Sequence, residues 1–141
     1  MTDVPAASSA SAAEPLSALS LDASLTVADV RRSLAWYRDV LGFTVEREHE
    51  RDGTVIAVSL SAGSIRLLLA QDDGAKGRDR QKGEGCSLQI TTAQSIDALA
   101  ARATQAGAVL DTEPTDAWGV RVFRLRDPDG FRLVVASPRA R

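Results

Sequence analysis

The sequence predicts an α+β fold made of two βαβββ modules. Three observations predict it: a short unit that occurs twice, strand-type alternation around each copy, and turn residues at matching places. The first copy runs from Leu25 to Phe43 and reads as a strand, a polar cap at Asp29, a helix, a stop at Gly42 and a new strand. The second runs from Leu88 to Thr91 and on from Ser95 to Ala108 in the same order. The caps Asp29 and Ser95 lie 66 positions apart, and the stops Gly42 and Gly107 lie 65 apart. A unit this long, present only twice, marks duplicated halves of one domain rather than a solenoid. Two such halves build a cleft between them.

The elements follow in order. Leu21, Ala23, Leu25 and Val27 alternate with Asp22, Ser24 and Thr26, which predicts a half-buried strand over 21–27. Asp29 is placed to accept from the first free helix amides. Val30, Leu34, Tyr37 and Leu41 then share one stripe of a helix over 30–41, with Trp36 packing beside it. Gly42 ends it in the left-handed region. Strands follow at 43–50, 54–60 and 64–70, separated by the turns Arg51-Asp52-Gly53 and Ser61-Ala62-Gly63. Residues 72–85, rich in glycine and charge, read as a linker. The second half gives a strand at 86–92, a helix at 95–106 and strands at 108–112, 119–126 and 131–136, with Asp127-Pro128-Asp129-Gly130 as a tight turn. The domain is therefore expected at 21–137, with modules at 21–71 and 86–137. Residues 1–20, rich in Ala and Ser with Pro5 and Pro15, read as a disordered tail.

Composition narrows the function. The chain has 141 residues, enough for one domain with a real core. Basic and acidic residues balance at 17 against 19, so no basic face for nucleic acid is expected. No apolar run approaches the roughly 20 residues of a membrane span. Cys86 is the only cysteine, which rules out an intrachain disulfide and fits a reducing cytoplasm. It reads as a small structural thiol. His49, the only histidine, lies in the charged run Glu46 to Glu50 and reads as part of a solvated face. With no second candidate base, no Ser-His-Asp or Cys-His arrangement can be assembled.

Val27-Ala28-Asp29, Ser33, Trp36-Tyr37 and Leu41-Gly42-Phe43 resemble the first-half signature of the vicinal oxygen chelate superfamily. Its members include glyoxalase I, extradiol dioxygenases, fosfomycin-modifying enzymes and bleomycin-binding resistance proteins. Trp118-Gly119-Val120 followed by Arg126 to Phe131 resembles the second-half signature. The resemblance implies a curved mixed sheet around a cleft, with helices on the outer face. It also implies a metal held by His and Glu side chains on the first, fourth, fifth and last strands.

Matched one by one, those positions fall on Asp22, Leu68, Ser87 and Val134. A divalent ion needs several N, O or S donors converging on a point, and Leu68 and Val134 offer none. The expectation is therefore no metal and no cofactor. Strand parity lines the cleft with Asp22, Ser24, Thr26, Arg66 and Leu68 from the first half, and Ser87, Gln89, Arg132 and Val134 from the second. Trp118 is expected on a loop that folds over the mouth. Apolar patches with a few placed polar groups suit a small organic molecule. The resemblance thus implies metal-independent binding of such a ligand by a cytoplasmic homodimer, as in the bleomycin-resistance branch. The alternative is a lyase, isomerase or oxygenase with an atypical site, or acid/base work by Asp22.

Overall fold

A computed structural model describes residues 13–77 and 81–139. The first module holds β1 (Ala23–Val27), α1 (Val30–Leu41), β2 (Thr44–Arg51), β3 (Thr54–Ala62) and β4 (Ile65–Gln71). The second holds β5 (Ser87–Thr91), α2 (Ile96–Gln105), β6 (Leu110–Ala117), β7 (Val120–Arg126) and β8 (Arg132–Pro138). Each module is a mixed four-stranded sheet, ordered β1-β4-β3-β2 and β5-β8-β7-β6. In each, the first strand pairs parallel with the last and the other pairs are antiparallel.

The caps act as the sequence implies. Asp29 accepts from the Arg31 and Arg32 amides at 3.1 and 3.2 Å, and Ser95 Oγ accepts from the Ala98 amide at 3.2 Å. Gly42 closes α1 at φ 78°, its amide donating to Arg38 O at 3.1 Å. Leu67 and Leu69 are buried beneath α1, with Leu133 and Val135 as their counterparts under α2, and Leu25 and Val27 are buried on the neighbouring strand β1. The alternate residues Ser24, Arg66, Ser87 and Arg132 are exposed. Thus each helix covers one face of its sheet and leaves the other open. One continuous apolar cluster spans both modules, and α1 packs on α2.

Several expectations need correction. β6 does not end at 112 but runs on to Ala117, through Pro114. The register shifts between Leu110 and Thr112 and again between Thr112 and Thr115. Such irregularities on an edge strand are where proline is tolerated. Trp118 consequently sits on a two-residue hairpin tip rather than a long loop, because Ala117 pairs directly with Val120. Strand β1 starts at Ala23; Leu21, expected inside it, is 95% exposed. Of the expected tail, residues 1–12 lie outside the described residues, and 13–20 form no helix or strand.

The expected linker is pinned at both ends. The Asp72 amide donates to Val27 O at 2.8 Å, and Asp72 Oδ2 pairs with Lys82 Nζ at 2.9 Å, with both side chains 5% exposed. Gly83 lies so close to Gly130 that a Cβ there would stand 2.3 Å from its carbonyl carbon. Residues 78–80 lie outside the described residues.

The Asp-Pro-Asp-Gly turn locks the modules together. Tyr37 of α1 donates its hydroxyl to Asp127 Oδ2 at 2.7 Å. The other oxygen of Asp127 accepts the Asp129 and Phe131 amides at 2.8 and 2.9 Å. Asp129 accepts the Ala28 amide at 2.9 Å and the Ser33 hydroxyl at 3.3 Å. Burial raises the Asp127 carboxyl above the ordinary carboxylate range, and the Tyr37 and amide bonds work against that rise. Burial, followed by the charge of Asp127, pushes the Tyr37 phenol far above its ordinary value.

Candidate functional site

The open sheet faces are built by strand pairing. On the first sheet Leu68 of β4 stands between Ser24 of β1 and Ser59 of β3, with Arg47 of β2 beyond. On the second sheet Val134 of β8 stands between Gln89 of β5 and Arg124 of β7. One row toward the strand starts, Arg66 and Arg132 occupy matching places, with Ser87 beside Arg132. Each open face therefore has an apolar centre ringed by hydroxyl, amide and charged groups.

On the first face the structure brings Asp22, Ser24, Arg66 and Leu68 together around a cavity of about 360 Å³. Its walls come entirely from the first module and include Glu46 and Ser59, which the sequence reading missed. Glu46 falls at a register shift between Val45 and Arg47, and such a bulge re-aims a side chain. The two flanking residues gave no sign of it. Nor is His49 merely solvated: it is half-buried, with Nε2 at 3.3 Å from Ser59 Oγ. The β2–β3 pairing would have revealed this, since His49 lies opposite Ala57 on the same face.

The remaining expected residues lie elsewhere. Thr26 is half-buried on the first face beside Ala70. Ser87, Gln89 and Val134 lie on the second face. Arg132 lines a different cavity of about 570 Å³ against Ala28 and Arg32 at the start of α1. Trp118 is 101% exposed and has φ 53°, a left-handed conformation rare for a bulky residue. Cys86 is half-buried.

The first face carries charges of both signs, and arginines dominate the second. Asp22 and Glu46 line the first cavity around Arg66. The second face carries Arg124 and Arg126 on β7 beside Val134 and Arg132 on β8. Of these, Arg126 is partly offset by Asp111, its Nε lying 3.0 Å from Oδ2.

The superfamily's metal was tested against these side chains. Leu68 and Val134 occupy the centres of the two rows and have no donor atom. Among the described residues no group of three or more His, Cys, Asp or Glu side chains converges as a metal site would require. These residues do not fit the ion. Among the described residues no helix is long and apolar enough to cross a membrane.

Comparisons with known proteins agree with the fold. The sequence profile of the Glyoxalase/Bleomycin resistance protein/Dioxygenase superfamily matches residues 20–135. No match was found among curated proteins. Among solved structures, TioX from Micromonospora sp. ML1 is 22% identical, with a TM-score of 0.70 over 84% of this chain and 98% of that one. TnmS3, an antibiotic binding protein from Streptomyces sp. CB03234, is 18% identical, with a TM-score of 0.69 over 88% and 99%. A glyoxalase/bleomycin resistance protein/dioxygenase from Nocardioides is 17% identical, with a TM-score of 0.66 over 89% and 87%. The chain belongs to the Glyoxalase/Bleomycin resistance protein/Dioxygenase superfamily.

Proposed function

We propose that this member of the superfamily binds a small amphipathic or aromatic organic molecule on its open sheet faces, without a metal and without altering it. The observation that carries the reading is the exchange of donor atoms for apolar side chains at Leu68 and Val134. Two apolar centres, one ringed by Ser24, Ser59 and Arg66 and the other by Gln89 and Arg132, give contact area for affinity and polar groups for orientation. The fold shared with an antibiotic binding protein supports the same reading.

We further propose that the working form is a homodimer in which the first face of one copy meets the second face of the other. Asp22 and Glu46, which share their face with Arg47 and Arg66, are placed to meet arginines 124, 126 and 132 of the other face. Trp118, exposed at its hairpin tip, is free to stack on a planar ligand held in such a cleft. A reducing cytoplasm suits the lone thiol Cys86.

Titration of tryptophan fluorescence against a panel of planar natural products and antibiotics tests this. A bound anionic compound is expected to lose about tenfold or more in affinity on Arg66→Ala or Arg132→Ala, since a buried charge-assisted hydrogen bond is worth roughly 1.5–3 kcal/mol. Trp118→Ala is expected to cost a similar amount. A panel in which every tight binder ignores all three substitutions, or a compound consumed at a rate set by the protein, sinks the reading; the second outcome puts the enzyme alternative in its place.

A further inference from the structure

The modules meet at two junctions related by the same internal repeat, yet one is filled and the other is open. At the filled junction Asp127 and Asp129 engage Tyr37, Ser33 and the Ala28 amide. A shift of 66 positions, the spacing of the helix caps, turns these into Ser61, Gly63, Ala103, Leu99 and Gln94. Both carboxylates and the phenol are gone. A cavity of about 490 Å³ stands at that place, with Gly63, Gln94 and Leu99 in its wall. Sites for small molecules run from roughly 300 to 1,000 Å³, so the volume is of the right order.

The chemistry of the wall is specific. Leu41, Phe43, Ile65 and Leu99 give it apolar sides, and Ile65 is 40% exposed at this opening. Among the described residues Arg102 is the only ionisable side chain that lines it. Its guanidinium is held in place: Nη2 donates to Arg38 O at 3.4 Å. Nη1 would lie only 2.7 Å from a Cβ at position 42, so glycine there makes room for it. One of the five guanidinium donors is used in that bond, and Asp39, which does not line the cavity, feels the same charge from nearby.

We propose that this open junction is a second small-molecule site, separate from the sheet faces, for an organic monocarboxylate. The carboxylate pairs with Arg102 and the apolar body lies against Leu41, Ile65 and Leu99. Because both modules line the cavity, a bound molecule ties them together at the end where the Asp127–Asp129 lock has no counterpart.

Isothermal titration with octanoate, octanol and octylamine tests the proposal. Octanoate is expected to bind saturably and to raise the melting temperature, octanol to bind more weakly and octylamine not to bind. Arg102→Gln should weaken octanoate about tenfold or more while leaving octanol unchanged, and Arg102→Lys should recover part of the loss. Arg66→Ala, on the first sheet face, should leave octanoate binding intact. Melting curves of the ligand-free variants establish that each is folded. The proposal is overturned if octanoate shows no saturable binding, if octylamine binds as well, or if Arg102→Gln keeps full affinity. It is also overturned if Arg66→Ala abolishes octanoate binding, which would move the ligand to the sheet face and leave the sheet-face reading standing.

Discussion

The tips of two equivalent hairpins follow the same backbone path with opposite chemistry. Between β2 and β3, Asp52 and Gly53 have φ of 52° and 79°; between β6 and β7, Trp118 and Gly119 have φ of 53° and 79°. Both are two-residue turns with positive φ at each centre, a geometry that suits Asp-Gly and strains a tryptophan. The junctions differ in the same manner. One carries Tyr37 bonded to Asp127, which also accepts the Asp129 amide, and the other carries Ala103, Ser61 and Gly63, with Gly63 on the wall of an open cavity. Duplication gave both halves one scaffold. Departures from the symmetry then mark where a half is specialised: locking at one junction, an exposed aromatic at one hairpin, an opening at the other junction.

The largest expected effect comes from breaking the lock. Asp127→Ala leaves the Tyr37 hydroxyl and the Asp129 and Phe131 amides without their acceptor, and should cost about 3 kcal/mol or more in urea unfolding. Its repeat counterpart Ser61→Ala should stay within about 0.5 kcal/mol. Equal costs would show that the two junctions are energetically alike and remove the contrast.

A pH series sharpens the same point. The Tyr37 phenol is held protonated in the fold well above its ordinary range. A group whose folded value is raised contributes stability that is complete below its unfolded value, about 10 for tyrosine, and that is lost as pH rises beyond it. The melting temperature of the wild type should therefore fall more steeply above about pH 10 than that of Tyr37→Phe. Parallel curves would mean that the phenol ionises in the fold as readily as in the unfolded chain.

The hairpins give the smallest effect. Trp118→Asn replaces a bulky residue in the left-handed region by one that tolerates it, and should stabilise the fold by roughly 0.5–1 kcal/mol while weakening a stacked ligand. Asp52→Asn, at the matching tip, should be near neutral. A loss of stability at Trp118→Asn would mean that the indole packs on the fold itself.

Much of this was legible in the chain. Asp29, Ser95 and Gly42 act locally, so their roles followed from residue type and position, and the alternation of Leu25 and Val27 with Ser24 and Thr26 located the buried face. Contacts between distant segments were not legible. Ser33 in a helix gives no hint of Asp129 across 96 positions, and Pro114 signals a break although an edge bulge accommodates it. The site divides on the same line. Ser24, Arg66 and Leu68 share a cavity because adjacent parallel strands keep parity, and Asp22 joins them from just before β1. Glu46 was missed because a bulge breaks parity, and no single residue announces a bulge.

Methyl NMR of Leu68 and Val134 tests the central claim most directly, because these side chains stand where the superfamily's metal ligands would. Titration with a compound found to bind, followed by mass analysis of that compound, should shift the methyl signals of both residues and return the compound unchanged. Signals that stay still at saturation, or a compound converted only when the protein is present, would contradict binding on the open faces without chemistry.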